Sequence, residues 1–232
     1  NKLINPFAVI LPSAGLGTRF GKEIPKQYQK IQGKLVINYS LELFLTFKEC
    51  KKIVIAISNV DDFHHPLLED NRIEIIQGGH SRADSVRRCF DKLVSIDSQE
   101  DVLIHDAARP CVQLEDLTNF LEIFSLSQYA GMIFANPCTD TLKSSKNGKI
   151  IIGTEDRSFL WQAQTPQIFR FENLYNAYNS YSGEINELTD ESAIFDELKD
   201  EIALYKNSSN NIKITHSEDL QLAEYLLKNI KK

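Results

Sequence analysis

Five short apolar runs, each followed by a stretch with a helical pattern or a turn, restrict this chain's fold more than any other feature. The runs are FAVIL (7–11), IVIAIS (53–58), IEII (73–76), VLIH (102–105) and GMIFA (131–135). Each is short enough for a strand and apolar enough to be covered on both faces. Residues 35–47, 81–96 and 114–127 carry apolar side chains at helical spacing. Alternation of this kind requires βαβ crossovers, so the expected class is α/β, a Rossmann-like, mostly parallel sheet flanked by helices. Ligands of such sheets gather beyond the carboxyl ends of the strands, which is where functional residues are sought.

The rhythm breaks after Ala135. TDTLKSSKNGKIIIGTEDR (139–157) reads as two short strands around the turn Lys146-Asn147-Gly148-Lys149. It reads as an inserted β-hairpin arm, at about 136–158, in a single domain spanning 1–232. Two strands alone are marginal in water, so a plain surface excursion is less favourable than packing on a second subunit, and a homodimer is expected. Helices are then expected near 171–181 and 189–198, a strand pair around 202–204 and 212–214, and a closing helix from Ser217.

Composition narrows the partners. A net charge of -6 and a pI near 5.4 argue against a nucleic-acid binder, which needs a basic field. Bound phosphate must therefore be recognised locally. Cys50, Cys89, Cys111 and Cys138 form no C-x-x-C pair and have no histidine at zinc spacing, so they read as reduced thiols of a cytoplasmic protein. The first apolar run is too short for a secretory signal or a membrane span.

Three loops could carry chemistry. The first, LPSAGLGTRFGKEIPKQY (11–28), follows a strand. A dinucleotide fingerprint starting at Gly15 and Gly17 would need glycine at Phe20; a Walker loop would need it there too, and Gly21-Lys22 is followed by Glu23. What remains is a turn of small residues, Ser13-Ala14-Gly15, followed by Gly17-Thr18-Arg19 and Pro25-Lys26-Gln27. It can wrap a triphosphate with backbone donors while Arg19 and Lys26 supply charge; the bland alternative is a glycine turn with solvated cations.

The second loop, IHDAARP (104–110), ends a strand in a carboxylate and Arg109. Asp106 can hold Mg²⁺, or it can cap the turn or pair with Arg109. In the third, QGGHSRADSV (77–86), the backbone of Gly78-Gly79 can approach a ligand and Ser85 can hydrogen-bond a base or ribose. Ser81 with Asp84 also fits a helix cap, and both readings can hold together. Arg157, Thr165-Pro166 and Lys213 are weak signals in isolation, and Lys213 can simply point to solvent from a strand. Trp161 reads as packing, and His64 and His65 as solvated.

In order and spacing these segments, with Thr139-Asp140-Thr141, WQAQTPQIF, LTDESAIF and NIKIT, resemble the 2-C-methyl-D-erythritol 4-phosphate cytidylyltransferase family of non-mevalonate isoprenoid biosynthesis. The resemblance implies CTP and methylerythritol phosphate as substrates and Mg²⁺ as cofactor. It places Arg19 and Lys26 on the transition state, Ala14, Gly15, Gly17, Gly79, Ser85 and Asp106 around the nucleotide, and Asp106 at the metal. It places Arg109, Thr139, Asp140, Thr141, Arg157, Thr165, Thr189 and Lys213 around the acceptor, with interlocking arms that bring Arg157 to the partner's site. Two rivals are ribitol 5-phosphate cytidylyltransferase and a catalytically silent nucleotide-binding protein. Ser13 and His80 depart from the family pattern, as alanine is common at the first position and an acidic or small residue at the second.

Overall fold

The computed structural model describes residues 3–15, 24–58 and 69–229. Gly17, Arg19, His64 and His65 lie outside the described residues. The core is a seven-stranded sheet in the order β11-β7-β10-β6-β1-β4-β5. Its strands are β1 (Phe7–Ser13), β4 (Cys50–Ile57), β5 (Ile73–Gln77), β6 (Asp101–Ile104), β7 (Gly131–Pro137), β10 (Trp161–Phe169) and β11 (Ile202–Lys206). All neighbours pair parallel except β10, which is antiparallel to both β6 and β7.

Strand alternation sorts the core into two layers. Phe7, Val9, Leu11, Ile53, Ile55 and Leu103 face α1 (Val36–Leu45) and α3 (Leu114–Leu126), meeting Ile37, Leu41, Phe44, Phe120 and Phe124. Ala8, Ile10, Val54, Ala56, Val102 and Ile104 face the other way, onto Val86, Phe90 and Leu93 of α2 (Arg82–Ser95) and Leu174 and Tyr178 of α4 (Phe171–Ser180). A fully buried Ile, Leu or Phe contributes about 1.5–3 kcal/mol of transfer free energy, more than a typical net hydrogen bond, so this alternation fixes which helix covers which face. The edge strands depart from the expected pattern: β5 and β11 are half-exposed, because each has a neighbour on one side only.

Two expected elements in the second half of the chain are corrected, and one strand is added. Residues 161–169 form β10, the longest strand, although their polar residues and Pro166 disguise it. The helix expected over 189–198 is a short 3-10 turn, Glu191–Phe195, begun when Asp190 accepts from the Ala193 amide. Residues 212–214 are not a strand; the segment is tied instead by the Ile214 amide donating to the Ala108 carbonyl at 2.9 Å. It packs with α5 (Asp219–Asn229) in a third cluster containing Ile214, Ala108, Cys111 and Ala223.

The arm forms as a hairpin, with β8 (Lys143–Ser144) antiparallel to β9 (Gly153–Thr154). Asn147 accepts from the Lys149 and Ile150 amides, and Gly148 takes φ +68° to turn the chain. Ile150, Ile151, Ile152 and Phe159 are exposed on it. Trp161, expected to pack, is also exposed, by 40%. Among the described residues no helix is long and apolar enough to cross a membrane. Burial pushes the thiols of Cys50 and Cys111 up to about 12 and raises that of Cys89, so these cysteines are protonated and unreactive at neutral pH.

Candidate active site

The carboxyl ends of β1, β4, β5 and β6 lie side by side, and three loops leave from them. The chain leaves β1 through Ala14 and Gly15, and Gln27 ties the far side of this loop back. Its Nε2 donates to the Ser13 carbonyl at 2.7 Å and the Gly15 carbonyl at 3.1 Å. Lys26 opens the 3-10 turn Lys26–Tyr28 and is thereby held near the glycine turn by its neighbour. The Ser13 hydroxyl is buried and has no partner among the described residues, so this departure adds no hydrogen bond there.

The Gly78-Gly79 loop packs against the first. The Gly78 amide donates to the Ile57 carbonyl at 2.7 Å, and a Cβ on Gly78 would sit 2.2 Å from the Ala14 Cβ, so only glycine lets the two loops approach. At the start of α2, the Ser81 hydroxyl accepts from the Asp84 amide, and Asp84 accepts from the His80 amide. The expected cap is present, displaced by one residue at its second bond. Ser85 is 1% exposed; it accepts from the Gly79 amide at 3.0 Å and donates to the Ser81 carbonyl at 2.8 Å. Its proton is committed to shaping the loop, which leaves it only acceptor capacity for a ligand.

At the end of β6, Asp106 is 8% exposed and meets two cations. Arg82 Nε donates to Oδ1 at 2.8 Å, and Lys213 Nζ to Oδ2 at 2.6 Å. Burial raises the Asp106 carboxyl, but these two cations and their hydrogen bonds outweigh it and hold the group well below the usual carboxylate range. Arg82 Nη1 also meets both carboxylate oxygens of the fully buried Glu191 at 2.9 Å. Glu191–Arg82–Asp106–Lys213 is thus a line of alternating charges.

Of the alternatives for Asp106, pairing with the Arg109 side chain is not formed. Arg109 Nη1 donates to the Asn211 carbonyl at 2.8 Å, while its amide closes the turn on the Asp106 carbonyl. Lys213, for which a plain solvent-facing role was the alternative to an acceptor contact, is paired with Asp106.

His105 and Thr165 hold this turn from behind. The Asp106 amide donates to Thr165 Oγ1 at 3.0 Å; the carbonyl facing the other ring nitrogen of neutral His105 can only accept, so Nδ1 takes the threonine proton, 3.2 Å away. That leaves Nε2 protonated, donating to the Arg109 carbonyl at 3.1 Å. Burial lowers the imidazole to about 4, against the raising influence of Asp106. The unfolded chain takes up this proton below about 6.5, whereas the fold takes it only near 4, so stability rises with pH across that window. The unfolding free energy should therefore fall by up to about 3 kcal/mol from pH 7 to pH 4 on account of this residue. Urea titrations should show His105→Gln losing that part of the slope; an identical slope in both proteins would refute the assignment.

Thr139, Asp140, Thr141 and Arg157 are exposed on or beside the arm, and the structure gives no hydrogen bond or ion pair between them and the Asp106 cluster. Thr189 is exposed two residues before Glu191. Arg82 and Glu191 were given no role from sequence; the one signal is the position of Arg82 in the first turn of α2, directly after the glycine loop.

Glycine turns and fixed cations gathered at the carboxyl ends of a mostly parallel sheet define a nucleotidyltransferase. The family model described as 2-C-methyl-D-erythritol 4-phosphate cytidylyltransferase matches residues 7–229. The chain belongs to that family. It is 40% identical over 220 residues to the enzyme of that name from Haemophilus ducreyi, covering 94% of each chain. It is 39% identical over 225 residues to that from Wigglesworthia glossinidia brevipalpis, covering 96% of each. Among solved structures, the Francisella tularensis cytidylyltransferase superposes with TM-score 0.82 at 30% identity, over 96% of this chain and 100% of that one. The Thermus thermophilus protein superposes with TM-score 0.78 at 26% identity, over 96% of this chain and 99% of that one.

Proposed function

We propose that this chain transfers the cytidylyl group of CTP to 2-C-methyl-D-erythritol 4-phosphate, giving 4-diphosphocytidyl-2-C-methyl-D-erythritol and pyrophosphate in non-mevalonate isoprenoid biosynthesis. The carrying observation is the family match along residues 7–229, which spans every loop of the site. A phosphate monoester is largely dianionic near neutral pH, so its oxygen attacks the α-phosphorus of CTP without a general base. The new P–O bond forms as the bond to the β-phosphate oxygen breaks and pyrophosphate leaves. Two anions must meet, and that requires positioning and cancelled charge rather than proton transfer. The backbone at Ala14, Gly15 and Gly79 and the acceptor of Ser85 receive the nucleotide, Arg19 and Lys26 stabilise the charge on the phosphates, and Lys213 with Thr189 faces the acceptor.

Asp106 stands at the end of β6 among the three loops of this site, and no group of three metal-ligating side chains occurs among the described residues. Such a donor set cannot cage an ion alone but fits Mg²⁺, which takes one or two carboxylates and fills its shell with water and phosphate oxygens. When bound, Mg²⁺ would withdraw charge from the phosphoryl oxygens.

The chain acts as a homodimer in this reading, with Arg157 serving the partner's site, while Arg109 and Thr165, held on the Asp106 turn of their own chain, and the Thr139–Thr141 segment serve the acceptor. The exposed isoleucines of the arm and the absence of any link from Arg157 to the cluster in its own chain support it. Mixed subunits of inactive Lys26→Ala and Arg157→Ala should recover up to about a quarter of the parent activity, since random pairing makes half of the dimers heterodimers and each of these gathers both lesions in one site and leaves the other intact. No recovery after co-refolding would mean that each site is built from one chain. The unreactive thiols are consistent with a cytoplasmic enzyme.

A substrate panel scored by pyrophosphate release decides the reaction. Release with CTP and methylerythritol phosphate in the presence of Mg²⁺ is expected, with ribitol 5-phosphate and UTP giving little. Preference for ribitol 5-phosphate would move the chain to the rival activity, and silence on every pair would indicate a binding protein.

A further inference from the structure

We infer that Arg82 and Glu191, which touch none of the residues expected on the phosphates, are positioning residues of this reaction; the inference rests on the cytidylyl-transfer reading above. The Arg82 side chain joins three segments of the site. Its backbone begins α2 directly behind the Gly78-Gly79 loop, its Nε meets Asp106 at the end of β6, and its Nη1 meets Glu191 two residues after Thr189. The nucleotide loop, the carboxylate that holds Lys213 and the acceptor segment are therefore set against one another by one guanidinium. Glu191 restrains the arrangement, because Nη1 is shared between both oxygens of a buried carboxylate while Nε is held by Asp106, so the guanidinium cannot swing without breaking one of the two pairs.

The geometry does not suit a device for stability alone. Buried ion pairs are commonly replaced by apolar residues at little loss, and the Nη2 group of Arg82 is buried with no partner among the described residues. A cluster selected for stability would not keep that orphan donor. Three salt-bridge contacts in line also make Lys213 dependent on Arg82: without Arg82, the Asp106 carboxylate is free to turn toward Lys213 and draw its ammonium away from the position it takes now.

The double variant Arg82→Met/Glu191→Leu removes one positive and one negative group together, so no lone buried charge remains and folding is retained. Its kcat/KM for methylerythritol phosphate should fall about 100-fold, the cost of a displacement near 1 Å, about tenfold of it as a raised KM for that substrate, while its KM for CTP moves less than about threefold. Loss of stability alone lowers the concentration of active enzyme and moves neither KM. Arg82→Lys gives a second arm: it keeps a cation but cannot reach Asp106 and Glu191 at once, so the same split is expected, in a folded protein that melts below the parent because one buried carboxylate loses its partner. Parent-like kcat/KM in either folded variant overturns the inference. Pyrophosphate release by the parent tests the underlying reading separately. A crystal structure of Arg82→Lys reads out whatever the substrate, and an Asp106 carboxylate left in place also overturns the inference.

Discussion

Replacing Lys26 by alanine should lower kcat by about 10²- to 10³-fold and change the KM for CTP by less than about threefold. The local structure makes the two parameters separable. The segment that carries Lys26 is fixed by other groups: Gln27 donates to the Ser13 and Gly15 carbonyls, the Tyr28 ring is buried, and the Tyr28 amide closes the turn on the Pro25 carbonyl at 2.9 Å. Truncating the lysine leaves this frame standing, so the backbone that receives the nucleotide should remain in place. What disappears is a positive charge needed most when the α-phosphorus carries both nucleophile and leaving group. A fixed cation aimed at developing charge is the largest single contributor in reactions of this kind. Steady-state kinetics with each substrate varied in turn check the split; a raised KM with unchanged kcat would show that Lys26 binds ground state and transition state alike.

Asp106→Asn should cost both activity, about 10²- to 10³-fold, and stability, about 3 kcal/mol or 6–12 °C in Tm. The carboxylate has two cationic partners on its two oxygens, and an amide can accept from only one of them. Its NH₂ group would then face either Arg82 or Lys213. Because the Arg82 side chain is 25% exposed and that of Lys213 38%, and Arg82 is also anchored by Glu191, the arginine would claim the amide oxygen and Lys213 would be released toward solvent. The stability loss is set at the low end for broken buried pairs because solvent screens the exposed partner. Differential scanning calorimetry and pyrophosphate release measure the two losses. A Tm equal to that of the parent would show that the Asp106 charge is not what holds Arg82 and Lys213.

The first half of the fold was legible because its strands alternate strictly and its helices present continuous apolar stripes. The second half was not, for identifiable reasons. In β10, Gln162, Gln164, Thr165 and Gln167 interrupt the apolar pattern and Pro166 lacks an amide; the strand tolerates them because its pairing with β7 shifts register between Ala163 and Gln167. Asp190 resembles an α-helix cap but starts only a 3-10 turn. The alternation Ile212-Lys213-Ile214 imitates a strand, although Ile214 faces a core cluster and Lys213 reaches Asp106.

Site residues followed the same division. Gly79, Ser85 and Asp106 stood out on loops at strand ends, whereas Lys213 was weak by itself and entered through the resemblance; the structure brings Asp106 and Lys213 into contact. The Arg82–Glu191 pair spans 109 positions, and no local pattern marks a charge whose partner is supplied from so far away.

The register of β7 with β10 has a practical meaning for the arm. Pro137 stands opposite Trp161, and the Cys138 amide donates to the Leu160 carbonyl at 3.0 Å, so the chain leaves the sheet and re-enters it at the same point. The arm is therefore an excisable module hung from one seam: a tight turn could bridge 137 to 161 without changing strand order, and surfaces for assembly can be rebuilt there while the sheet and the Asp106 cluster stay as they are.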